Sequence, residues 1–148
     1  MLSVALFALL TAFQASTPAQ PSAAAQPELK GQACTARELV GTWQSTTKST
    51  RPGVTSSLKH ITPTHYFNVW LGAKDVVQGG HGGPYTFASG TYTESLAHGF
   101  GEAFEKYRGA SVPFRCRLNA DILHIVGEYQ GIKINEQWKR VSGASPQR

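Results

Sequence analysis

Glu38-Leu39-Val40-Gly41-Thr42-Trp43-Gln44-Ser45 opens a stretch of about a hundred residues that reads almost wholly as short β-strands. The first strand spans Val40–Thr47, with Gly41-x-Trp43 at its start. Seven more candidates follow: Ser56–Thr62, His65–Leu71, Pro84–Ala88, Thr91–Ser95, Pro113–Asn119, Ile122–Tyr129 and Ile132–Val141. β-Branched and aromatic residues dominate them. Between them lie turn-formers: Arg51-Pro52-Gly53, Thr62-Pro63-Thr64, Gly72 to Asp75, Ser89-Gly90, Asn119-Ala120-Asp121 and Gln130-Gly131. Many short strands joined by tight turns predict an antiparallel meander, and closing it into a barrel removes its exposed edges. The expected fold is therefore all-β: a closed up-and-down barrel of about eight strands. Just upstream, Thr35 with Glu38 three residues later has the form of a capping box, so Cys34–Leu39 predicts one helical turn over a barrel end. Gly101–Arg108 fits both helical spacing and alternation.

The chain has 148 residues, the size of one domain. Residues 1–27 contain no charged side chain; 2–15 are mostly apolar and 16–27 are Ser, Thr, Pro, Ala and Gln. They read as the apolar part of a secretory signal peptide and a disordered spacer, although no Lys or Arg follows Met1. The apolar stretch is short for a transmembrane helix, so no membrane span is expected in the mature chain. Residues 28–141 form the expected barrel domain and 142–148 a polar tail. Two cysteines, Cys34 and Cys116, suit a single disulfide in an exported (periplasmic or secreted) protein, the alternative being two separate buried thiols. A bridge closing a loop of this length contributes about 4 kcal/mol in the chain-entropy model. The net charge of +5 is scattered, without the dense basic stripe and stacking aromatics of a nucleic-acid binder.

In the last strand, alternation puts Ile132, Ile134, Glu136 and Trp138 on the inside face. A carboxylate there needs a partner or a function. Thr91-Tyr92-Thr93-Glu94-Ser95 offers a second one, with Tyr92 and Glu94 on one face. Glu94 and Glu136 are thus candidates for an acid/base pair or for sharing a cation, against the plainer readings of a solvated Glu94 or a Glu136 paired with Arg115 or Arg117. His65-Tyr66-Phe67-Asn68-Val69-Trp70-Leu71 is apolar on both faces, and His65, Tyr66 and Asn68 are candidate polar anchors of a pocket. Gly79-Gly80-His81-Gly82-Gly83-Pro84 reads as a glycine-rich hairpin or loop. It lacks the Lys-Ser/Thr of a phosphate loop, and the five histidines have no metal-ligand spacing, so neither cofactor nor metal is expected.

With its Gly41-x-Trp43 and its closing Trp138-Lys139-Arg140, the chain resembles the calycin superfamily of lipocalins and related barrels. It also resembles small exported bacterial proteins that share Ile61-Thr62-Pro63-Thr64-His65, Tyr92-Thr93-Glu94 and Glu136-x-Trp138-Lys139-Arg140. The resemblance implies a barrel end plugged by Trp43 with Arg140 (or Lys139) packed on its indole, and an open end for ligands. Gly41, Trp43 and Arg140 are then structural. His65, Tyr66, Asn68, Tyr92, Glu94, Glu136 and Trp138 line a site for a small, largely apolar ligand. Catalytic candidates are Glu94, Glu136 and His65, in an isomerase or cyclase-type enzyme on the same barrel. A third reading is a periplasmic protein-binding module such as a protease inhibitor. A body of about 108 residues is short for eight strands, so the interior could be filled by its own side chains.

Overall fold

The computed structural model describes residues 29–141; the expected signal peptide and spacer and the polar tail lie outside the described residues. The elements are β1 (Gln32–Ala33), α1 (Ala36–Leu39), β2 (Gly41–Ser45), β3 (Ser56–Ile61), β4 (His65–Leu71), β5 (Val77–Ala88), β6 (Thr91–Ser95), β7 (His98–Phe100), α2 (Glu102–Tyr107), β8 (Ser111–Asn119), β9 (Ile122–Tyr129) and β10 (Ile132–Arg140). Eight of the strands close a barrel in the order β2-β3-β4-β5-β6-β8-β9-β10, with β10 returning to β2 and every neighbouring pair antiparallel. The two short extra strands lie outside this circuit, β1 on β8 and β7 on β5. Tight turns supply the hairpins: Ser89-Gly90 and Gln130-Gly131 each place two successive residues at positive φ, the twist that suits a two-residue connection.

The glycine-rich segment is not a hairpin or loop. Gly79 to Gly83 lie in the middle of β5, opposite Trp70 to Tyr66 of β4. Gly79 and Gly82 leave room for the Trp70 and Phe67 rings, and Gly80 and Gly83 for the backbone oxygens of Asn68 and Ser95. A Cβ at Gly79 would come within 2.7 Å of the Trp70 ring. The ambiguous segment Gly101–Arg108 resolves as α2, which lies against β5 and β7 and buries Phe104 completely.

One barrel end is closed by α1. Thr35 and Glu38 form the capping box at its start, and Leu39 is buried beneath it. Gly41 sits at φ 143°, a conformation that favours glycine, and turns the chain from α1 into β2. Trp43 is fully buried and its indole N–H donates to the Leu39 carbonyl at 2.8 Å. The Arg140 guanidinium stacks 3.9 Å from the centre of the Trp43 ring and donates to the carbonyls of Glu38 and Val40 at 2.8 and 2.9 Å. One side chain thereby ties the last strand to the helix that caps the first. Cys34, just before α1, is joined to Cys116 of β8 in a buried disulfide spanning 82 residues.

Trp43→Ala is expected to destabilise the protein by about 3–5 kcal/mol, the cost of deleting a large core side chain. Urea unfolding of the variant beside the parent checks this, and a difference under about 0.5 kcal/mol would remove Trp43 from the core.

Candidate functional site

Cross-strand register sets up one interior tier. Trp43 of β2 pairs with Lys59 of β3, Lys59 with Asn68 of β4, and Asn68 with His81 of β5. A single turn around half of the barrel therefore runs from an apolar plug to three polar side chains. Opposite them, β6 contributes Tyr92 and Glu94, and β10 contributes Glu136 and Trp138.

Lys59 and Glu94 are the centre of this tier. Lys59 is 2% exposed and its Nζ lies 2.7 Å from Glu94 Oε1, while the Tyr92 hydroxyl donates to the same oxygen at 2.8 Å. Lys59 Nζ also sits 4.8 Å from the centre of the Trp138 ring, a cation–π contact. Glu136 Oε2 accepts from the Trp138 indole N–H at 3.1 Å. Burial pushes the Glu136 carboxyl above the usual range, and nearby Glu94 pushes the same way, while Lys59, the Trp138 hydrogen bond and Arg51 oppose the rise. Glu136 does face inward and keeps some solvent access because the space beside it is hollow.

His81 is held between β4 side chains. The Tyr66 hydroxyl and His81 Nδ1 are 3.1 Å apart, and Asn68 Nδ2 lies 3.5 Å from His81 Nε2. Burial lowers the His81 pKa to about 4, with Lys59 and Arg51 adding to the fall and Glu94 opposing it, so the ring is neutral at pH 7. The Tyr66 and Tyr92 hydroxyls are pushed up, first by burial and then by the charge of Glu94. Asn68 Oδ1 is buried and has no hydrogen-bond partner among the described residues.

Toward the open end lies a cavity of about 450 Å³, so the interior is not filled by its own side chains. Its walls include Trp70, Phe114, Ile134 and Trp138, and its polar lining includes Asn68, His81, Glu94 and Glu136. Tyr66 and Tyr92 stand behind this wall and hold His81 and Glu94 in place. Arg51, from the β2–β3 loop, lies over the Trp70 ring at 4.1 Å from its centre.

His65 is a correction. Its strand alternates cleanly, with Tyr66, Asn68 and Trp70 inward and buried, so His65 points outward, where its Nδ1 meets Thr64 Oγ1 at 2.9 Å. The outward face is apolar as well, with Phe67 at 41% exposure, which is why the sequence alone does not tell the pocket side from the solvent side. Glu94 pairs with Lys59, while Glu136 makes no ion pair among the described residues and feels Lys59 only through space; no arginine of β8 pairs with either carboxylate there. Sequence reasoning missed Lys59, His81 and Arg51. Alternation with the fully buried Ile61 was a signal for Lys59; none marked Arg51 in its loop.

No family model matches the chain, and neither a curated protein nor a solved structure matches it. Among the described residues, no three His, Cys, Asp or Glu side chains are grouped to hold a metal, and no helix is long and apolar enough to cross a membrane.

Removing one member of the buried pair leaves an uncompensated charge. Lys59→Met and Glu94→Leu are each expected to cost about 3–5 kcal/mol, and the double variant clearly less than their sum. Chemical denaturation of the four proteins measures the coupling; additive losses would mean that the two charges act independently.

His81 also makes stability pH-dependent. Its folded pKa of about 4 lies below the ordinary 6.5, so between those values the unfolded chain binds the extra proton and stability falls as pH drops. The loss reaches about 3 kcal/mol by pH 4. Glu136, raised on folding, contributes with the opposite sign above the ordinary carboxylate range. His81→Asn should flatten the stability profile between pH 6.5 and 4 relative to the parent; parallel profiles would show that His81 titrates normally.

Proposed function

We propose that this protein is a lipocalin-like barrel, exported to an oxidising compartment, that binds a small, mostly apolar molecule through its open end. The observation that carries the reading is the open cavity of about 450 Å³, within the range of small-molecule sites, with aromatic walls and a few converging polar groups. Apolar burial at roughly 25 cal/mol per Å² supplies the affinity, and the polar groups set orientation. The Trp43–Arg140 stack supports the calycin resemblance, and the buried disulfide is compatible with an oxidising compartment.

An acid/base enzyme built on Glu94 and Glu136 is the weaker reading. Glu94 Oε1 already accepts from both Lys59 and Tyr92, which leaves it poorly placed as a free base. A protein-binding inhibitor would have no evident use for a hollow interior.

The test is titration with the neutral fluorophore N-phenyl-1-naphthylamine. Its emission should rise on binding. Ile134→Trp, which fills the cavity from β10, should weaken binding at least tenfold with the thermal midpoint within a few degrees of the parent. Unchanged affinity in a folded Ile134→Trp protein would place binding outside the barrel and end this reading.

A further inference from the structure

Arg51 is a cation of the site that lacks a counterion among the described residues. Lys59 is neutralised by Glu94, but the Arg51 guanidinium makes no hydrogen bond or ion pair with any side chain among the described residues. Glu136 is a carboxylate whose field it feels, without direct contact. The guanidinium carbon lies 4.1 Å from the centre of the Trp70 ring, and the guanidinium N–H groups have no acceptor among the described residues. That fork matches a planar carboxylate, accepted through two parallel hydrogen bonds. The surrounding field agrees in sign: the cavity lining holds Lys48, Arg51, Lys59 and Lys133 against Glu94 and Glu136, with His81 neutral.

A second unpartnered group lies deeper. Asn68 is two residues from Trp70 on the same inward face of β4, about 7 Å further along the strand. It is 6% exposed, lines the cavity, and its Oδ1 has no partner among the described residues. A buried carbonyl oxygen left without a donor is costly, so a ligand that brings an O–H or N–H to it is favoured. Between the two points the walls are flat rings: Trp70, Trp138 and Phe114.

We propose that the cavity takes a small aromatic carboxylate carrying a hydroxyl or amino donor, with its carboxylate on Arg51 at the mouth and its donor on Asn68 Oδ1. This deepens the small-molecule reading and rests on it. The ring system lies against the aromatic walls, and the rim lysines Lys48 and Lys133 attract the anion without fixing its orientation.

Calorimetric titration of the full chain with 6-hydroxy-2-naphthoate, its methyl ester and 2-naphthoate tests both contacts from the ligand side, where no variant has to fold. The acid should bind at least tenfold more tightly than its ester, and severalfold more tightly than 2-naphthoate. Arg51→Gln should erase the acid-over-ester preference. Equal binding of acid and ester overturns the Arg51 contact. Equal binding of the hydroxylated and plain acids means that the Asn68 amide satisfies itself on His81, and overturns the deep contact. If N-phenyl-1-naphthylamine enters the barrel but none of the three probes does, the ligand class is wrong and the carrier reading stands; if nothing enters, both fall.

Discussion

The Lys59–Glu94 ion pair is the constraint around which the interior is arranged. It joins β3 to β6 across the inside of the barrel, and both side chains are almost wholly removed from water. Two charges are tolerated there only because the remaining valences are met: the Tyr92 hydroxyl on Glu94, and the Trp138 ring beneath the ammonium. The pair then acts on its neighbours. Glu94 pushes the Glu136 carboxyl and both tyrosine hydroxyls upward, while Lys59 helps keep His81 neutral. A polar tier of this kind cannot collapse into an apolar core. It divides the barrel into a packed end, filled by Trp43, Leu39 and Ile61, and a hollow end above it.

That division explains why a chain this short retains a cavity. With eight strands, an interior of ordinary aliphatic side chains can fill itself. Here the inward positions of β5 next to the cavity are glycine or His81, and the space freed at Gly79 is taken by the Trp70 ring of β4. The aromatic rings are broad but immobile walls. They give a ligand large contact area at small entropic cost, whereas long aliphatic chains would fold inward and close the space.

The sequence made the barrel legible because its signals were local. Alternation in β10 placed Glu136 inside beside Trp138, the capping residues Thr35 and Glu38 marked α1, and the turn residues separated the hairpins. What was hidden depended on partners remote in the chain. The glycines of β5 carry no side-chain periodicity, so the strand is recognisable only once Trp70 and Phe67 are known to lie across from it. His65 reads as a candidate pocket anchor because the outward face of β4 is apolar too, with Phe67, Val69 and Leu71 alternating with the true inward set. Lys59 gives little local signal, because a lysine between Leu58 and His60 looks like a solvated strand residue; its counterion lies 35 residues away.

The same logic separates the two carboxylates that pattern alone treated as equivalent. Both face inward, yet their first contacts differ. Glu94 Oε1 receives an ammonium and a hydroxyl at hydrogen-bond distance, so its acceptor capacity is committed to Lys59 and Tyr92. Glu136 has one neutral donor, the Trp138 indole, and otherwise faces a cavity whose burial favours protonation. Glu94 is therefore held in a structural ion pair, and Glu136 is the carboxyl that faces what enters the barrel. An incoming anion near Arg51 would screen one of the charges that hold Glu136 down, so occupancy of the mouth and the protonation of the floor are coupled through space.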